Sequence, residues 1–255
     1  MFNRTLFFGE GLFETIRWKP SDEKLKLHYQ RLSTSARTLG IPYPNYGEFK
    51  NQLENHVPTQ GEFYVKYILM SEGDDYFAGA SEGYTSLAVV KPLKAVPKLV
   101  KLCVSPYRRH SSDPVCRHKT TSYLFNTIVK KQALSRGFWD GVILNERDCV
   151  CETSSSNLIF LKGSHFYTPA ASEGLLPGTT LEFLSKRLEI RDERISIKDV
   201  ENYDGVFVLN SLILCAEVER IEDVNLKRDA LAFEELNSIL RACLHSPQAE
   251  GLPDR

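Results

Sequence analysis

No stretch of this 255-residue chain approaches the roughly 18 consecutive apolar residues that a membrane-spanning helix needs, so a bilayer protein is not expected. An excess of charge is missing too: 32 Lys and Arg stand against 33 Asp and Glu. That balance offers no electrostatic case for nucleic acid or an anionic lipid surface as partner. The opening MFNRTLFFGEGLFETIR has none of the basic, apolar and small-residue blocks of a secretion signal, so a cytoplasmic location is expected. Six cysteines are present but no CxxC, and the six histidines show no ligand spacing with them. A zinc centre is therefore not expected, and the cysteines read as reduced thiols, several of them core-packed. Cys149 and Cys151 are two apart on a strand and share a face. Internal repeats and low-complexity tracts are also lacking. What is there is ordinary: 42% apolar and 25% charged residues, enough chain for one large domain or two moderate ones.

Taken in order, residues 13–18 read as a strand, with a turn around Pro20 and Asp22 and a short return strand over 24–27. Residues 28–39 read as an amphipathic helix, with Leu32, Ala36 and Leu39 at helical spacing and Gly40 as its stop. Arg31 then falls in that helix's first turn. A second helix covers 46–56, and strands rich in β-formers cover 62–70 and 84–90. The segment KPLKAVP carries two prolines and is the best linker. The expected division is a small α+β unit over 1–90, a linker over 91–97 and a larger unit over 98–255.

Beyond the linker, 99–105 is a strand and 120–136 a helix whose buried side is marked by Leu124, Ile128 and Ala133. Strands follow at 141–145, 149–151, 157–161 and 165–168. A helix opens after Pro177-Gly178 and runs to about residue 188. Strands at 194–197 and 206–209 precede a final helix over 230–243, and 251–255 reads as a frayed tail.

The chemistry concentrates in residues 119–157, where a lysine precedes a helix and a glutamate precedes a run of hydroxyls. Each residue has an ordinary reading. Lys119 could be a solvated lysine, though a cation beside the positive end of a helix dipole is unfavourable. Glu152 could be an exposed strand-end glutamate, Arg31 a surface arginine, and Thr179 or Thr180 a helix cap.

Seven segments in one order outweigh those readings: GEGLFETIR, HYQRL, SPYRR, KTTSYL, DGVILNERDCVCETSSSNLIF, LLPGTTLEFL and FVLNSL. Together they resemble the class IV aminotransferases, the fold-type-IV enzymes that use pyridoxal 5′-phosphate. The resemblance implies an α+β fold of the D-amino-acid aminotransferase kind, with a small N-terminal domain and a larger C-terminal domain built on a mixed, barrel-like sheet. It also implies a homodimer acting on a small molecule. Lys119 matches the lysine that holds the cofactor covalently, which requires an amine depressed towards neutrality by burial or a nearby cation. Glu152 matches the carboxylate on the pyridine nitrogen. For the phosphate, Arg31 matches the family arginine, Thr179 and Thr180 the helix-opening site, and Ser211 and Leu212 a second loop. Tyr123 and Ser155 match further cofactor contacts, and Arg108 and Arg109 are the candidates for substrate carboxylates.

Within that family the FVLNSL segment, SPYRR and the compact length lean towards the lyase that converts 4-amino-4-deoxychorismate to 4-aminobenzoate and pyruvate for folate synthesis. The alternative is an aminotransferase for branched-chain or D-amino acids with a 2-oxo acid. A lesser alternative is a degenerate binding protein. Three departures from the pattern stand out. Ser122 takes the place of an asparagine, Glu72-Gly73 replaces Arg-Gly, and Asp74-Asp75-Tyr76 stands where basic or small residues are expected. The segment before Gly9 is short and is expected to lack the opening strand.

Overall fold

The computed structural model describes residues 2–244. Its first sheet pairs β2 (Gly11–Trp18) with β3 (Phe63–Gly73) and β3 with β4 (Ser81–Pro92), all antiparallel. An opening strand is present after all: β1 (Phe2–Asn3) pairs with Gly73 and Glu72 at the end of β3, ahead of the short helix α1 (Arg4–Phe8). The alternation of side chains along each strand gives this sheet two different faces. Leu12, Ile16, Val65, Tyr67 and Leu69 enter a core with Leu25, Leu32, Phe49 and Leu53, which come from α2 (Asp22–Leu39) and α3 (Tyr46–His56). Phe13, Thr15, Tyr64 and Lys66 line a cavity.

Helix α2 corrects the return strand expected at 24–27. Lys24-Leu25-Lys26-Leu27 alternates like a strand, but Ser21 caps the helix through the Lys24 amide, and Asp22 and Glu23 favour its positive end. Arg31 therefore sits mid-helix, and Gly40 ends the helix in the left-handed conformation at φ 68°.

The second sheet has nine strands. They are β5 (Leu99–Val104), β6 (Asp140–Leu144), β7 (Val150–Thr153), β8 (Asn157–Lys162), β9 (His165–Pro169), β10 (Ile190–Glu193), β11 (Gly205–Asn210), β12 (Leu214–Ile221) and β13 (Val224–Asn225). They lie in the order β10-β9-β8-β11-β12-β5-β6-β7, with β13 on β12. The Val150 amide donates to the Ile195 carbonyl just past β10, at 2.8 Å, which draws the two ends of this curled sheet together. Leu158, Phe160, Val206, Val208, Ala216 and Val218 fill the inside. Their neighbours Ile159, Leu161, Phe207, Leu209 and Cys215 face outward onto α5 (Thr179–Ser185) and α6 (Ala230–Arg241). Burial on both faces explains the near-continuous apolar runs of these strands.

Several boundaries differ from the sequence reading. The strand expected at 194–197 lies at Ile190–Glu193, and α5 stops at Ser185. Strand β12 was not read at all, its LCAEVERI being interrupted by glutamates. Helix α4 (Leu124–Ser135) begins four residues later than expected, and its buried residues are Val129 and Ala133, against β5 and β6. Of the expected stripe Ala133 is buried, whereas Leu124 is 70% exposed and Ile128 41%, and Val129 takes the buried place beside Ile128. Strand β4 takes in the first two linker residues, and 93–97 belong to no helix or strand. The tail at 251–255 lies outside the described residues. All six cysteines are free and buried. Among the described residues no helix is long and apolar enough to cross a membrane.

Candidate active site

A cavity of about 560 Å³ opens between the inner face of the first sheet and one end of the second. Lys119 enters it from an extended segment, not from a helix start. The Phe13 amide donates to the Lys119 carbonyl at 2.9 Å, and the Thr121 amide to the Gly11 carbonyl at 2.8 Å. This tether to β2 removes the helix-dipole objection and fixes the lysine stem beside Phe13. Its Nζ lies 4.6 Å from the Phe13 ring centre and 5.2 Å from that of Tyr123. Burial, reinforced by the Arg31 cation, pushes the amine down to about 8.

Glu152, on β7, is buried and ion-paired with Arg109, and its Oε2 accepts the Leu176 amide at 3.2 Å. Burial pushes this carboxyl up against the opposing pull of Arg109. A carboxylate has acceptor capacity beyond two bonds, so Glu152 can still receive a donor from the cavity. Tyr123 donates its hydroxyl to the Ser154 carbonyl at 3.0 Å, and Ser155 donates to Asp140 at 2.8 Å. All of these residues except Asp140 line the cavity.

A shelf of hydroxyls forms another wall. Thr179 and Thr180 open α5, and Ser211 lies 3.3 and 3.5 Å from their Oγ1 atoms. The first amides of a helix have no partner within it and face an incoming anion well. Arg31 stands beside the shelf, with three of its five N–H donors already used. Nε and Nη2 grip Glu14 at 2.8 and 2.5 Å, and Nη1 donates to the Pro177 carbonyl. Glu14 also accepts from His28 Nδ1 at 2.7 Å. With Arg31 foremost among the favourable groups, that carboxyl falls to about 2 in spite of its burial, whereas burial holds His28 down at about 4. His28 is therefore neutral at physiological pH, and Arg31 reaches the cavity as a braced cation.

The two substrate-arginine candidates line the cavity, but each already has partners in its wall or at its rim. Arg109 Nη1 serves Glu152 and the Gly174 carbonyl, and Arg108 is held by Asp148 and the Asn145 carbonyl. Leu212 lines the wall, and its amide is taken by Asn210 Oδ1 at 2.9 Å. Ser122 hydrogen-bonds the Gly9 carbonyl, where a Cβ on Gly9 would come within 2.1 Å of its Oγ. Asp74 and Asp75 do not line the cavity. The sequence reading missed four residues: Glu14, Lys24, His28 and Lys66. Lys66 lines the cavity with its Nζ 4.1 Å from the Phe13 ring centre and no carboxylate within salt-bridge reach among the described residues. Its signal was a lysine alternating with core residues along a strand.

A family model described as amino-transferase class IV matches residues 11–221. The chain belongs to that family. It is 26% identical over 244 residues to a probable branched-chain-amino-acid aminotransferase of Rickettsia felis, covering 91% of this chain and 83% of the relative. Against an aminodeoxychorismate lyase of Vibrio harveyi the identity is 24%, with 86% of each chain covered. Among solved structures, a putative 4-amino-4-deoxychorismate lyase from Legionella pneumophila superposes with a TM-score of 0.83 at 26% identity, over 94% of this chain and 92% of the other. The class IV fold expected from the sequence is thus the observed one, and the chain is an enzyme of the lyase and aminotransferase group.

Proposed function

We propose that this class IV enzyme is a pyridoxal-phosphate-dependent lyase that splits 4-amino-4-deoxychorismate into 4-aminobenzoate and pyruvate. The cofactor fits the residues present: an amine lowered towards neutrality at Lys119, a buried carboxylate with spare acceptor capacity at Glu152, and an anion-ready wall of Thr179, Thr180, Ser211 and Arg31. When bound, the group supplies an electron sink for the carbon that carries the substrate's amine. Everything else falls to the chain. Glu152, locked by Arg109, holds a proton on the pyridine nitrogen. Tyr123 and Ser155 shape the wall around the ring. Lys119 Nζ, as a free amine, would take the proton from the reacting ring carbon. The carbon–oxygen bond to the enolpyruvyl group then breaks, the ring becomes aromatic, and the departing group gains a proton as pyruvate. Atoms balance with no oxidant and no water.

The observation that carries the lyase reading is the Asn210-Ser211-Leu212 turn. Asn210 Oδ1 accepts the amides of Leu212 and Ile213, both at 2.9 Å, and Nδ2 donates to Ser156 Oγ at 2.9 Å. The asparagine of the lyase-like segment thus builds the cavity wall itself. With both arginines at 108 and 109 committed, Lys66 is the cation we assign to a substrate carboxylate. The second reading, an aminotransferase for branched-chain or D-amino acids, draws on the Rickettsia relative. In either reading the chain works as a homodimer in the cytoplasm, with 1–90 closing over a cofactor held mainly by 98–255 across the linker at 91–97.

Supplying 4-amino-4-deoxychorismate and following pyruvate and 4-aminobenzoate tests the proposal, with amino acids plus 2-oxoglutarate offered in parallel. Both products in the first assay are expected. Transfer in the second assay alone would replace the lyase with the aminotransferase.

A further inference from the structure

Lys24 is a buried amine with no carboxylate partner among the described residues. Its side chain is 3% exposed, it has no carboxylate within salt-bridge reach among the described residues, and its Nζ donates only to Thr179 Oγ1 at 3.0 Å and Thr180 Oγ1 at 2.8 Å. Its place in the first turn of α2 adds an unfavourable interaction with the helix dipole. An apolar side chain would fill that space at far lower desolvation cost.

The hydrogen bonds around it run in one direction. Each threonine oxygen accepts from Lys24, so each threonine hydroxyl proton points away from it, along the cavity wall towards Ser211 Oγ. Ser211 in turn faces His28 Nε2 at 3.2 Å, and His28 Nδ1 donates to Glu14. Since His28 is neutral and its Nδ1–H serves Glu14, Nε2 is the acceptor for the Ser211 hydroxyl. The weak links are the 3.3 and 3.5 Å threonine–serine contacts, the two hydroxyls that an anion in the cavity would claim.

We propose that Lys24 is a positioning residue for the cofactor's phosphate, turning the Thr179 and Thr180 hydroxyls towards it. This rests on the phosphate lying at the hydroxyl shelf. The groups facing Lys24 are the Cys243 thiol beyond α6, Glu182 on α5, Glu14 on β2, and Arg31 and His28 on its own helix. Glu14 is already saturated by Arg31 and His28. Burial lowers the Lys24 amine to about 7. A dianion behind the threonines raises it, so below about pH 7 no proton need be taken up. Above that, uptake is required and phosphate affinity declines.

The test titrates cofactor-free wild type and Lys24→Met with pyridoxal 5′-phosphate and with pyridoxal from pH 6 to 9, reading Kd by absorbance and fluorescence. Loss of a charge-backed pair of hydrogen bonds should weaken the phosphorylated probe about 10- to 100-fold at pH 6.5, flatten its pH profile near 7, and leave pyridoxal unchanged. Thr180→Val should reproduce the selective loss, and it carries the test if Lys24→Met does not fold. Equal weakening of both probes, or an unaltered pH profile, would overturn the proposal. Failure of wild-type protein to prefer pyridoxal 5′-phosphate over pyridoxal would instead overturn the placing of the phosphate at the shelf.

Discussion

Replacing Glu14 by glutamine should cost the protein about 3 kcal/mol, by two independent routes. The residue is 1% exposed, gripped by both nitrogens of the Arg31 fork and by His28. Removing one member of a buried pair typically costs about 3–5 kcal/mol, because the other charge is stranded. Arg31 is 11% exposed and opens on the cavity, where water can partly rescue it, which favours the lower end. The second route is linkage. Glu14 falls from 4.5 to about 2, and each pKa unit is worth about 1.4 kcal/mol, which again gives about 3 kcal/mol. For a carboxylate depressed in the folded state, that stability is present above 4.5 and is lost as pH falls towards 2. His28, lowered from 6.5 to about 4, also favours the unfolded chain on acidification, but over the higher window from 6.5 to 4. With His28 neutral at pH 7, the charge that stabilises Glu14 there is that of Arg31. For a chain of this size the loss corresponds to about 6–12 °C in Tm. Thermal unfolding followed by circular dichroism at pH 7, 5 and 3 should show that gap between wild type and Glu14→Gln, narrowing to about half or less at pH 3. A gap under about 2 °C at pH 7, or one that does not narrow on acidification, would refute the reasoning.

Other outcomes follow from the same geometry. Glu152→Ala should bind cofactor weakly and lose most turnover, while unchanged turnover would remove Glu152 from its place at the pyridine nitrogen. Covalent cofactor uptake should accelerate as pH rises through about 8, where the Lys119 amine loses its proton. A rate flat between pH 7 and 9 would contradict that ionisation. Gly178→Ala would bring a Cβ to 1.7 Å from Asn157 Oδ1, displacing the side chain that donates to the Leu176 carbonyl. It should lower stability by about 1–3 kcal/mol, and a wild-type Tm would contradict the packing.

Much of the architecture was legible because strands buried on both faces cannot be written in polar residues: Val206–Leu209 and Leu158–Leu161 announce themselves. Failures came where local pattern and tertiary context disagree. Lys24-Leu25-Lys26-Leu27 alternates like a strand, yet its cap belongs to Ser21, and the lysine is buried by a helix about 155 residues further along. Strand β12 hides Glu217 by pairing it with Arg228, a contact no spacing rule reveals. At the site, Lys119, Glu152, Tyr123, Ser155, Thr179, Thr180, Ser211, Leu212 and Arg31 all reach one cavity. Invisible from the chain alone were the ties that occupy Arg108 and Arg109, and the Glu14–His28 brace, because both depend on distances between segments far apart in sequence.

The account turns on where the cofactor is held. Borohydride reduction of the protein loaded with pyridoxal 5′-phosphate, followed by peptide mass mapping, should place the fixed label on Lys119, with the absorption near the visible edge lost and no label in Lys119→Ala. A label on Lys66 or any other lysine, or a reducible adduct surviving in Lys119→Ala, would contradict it.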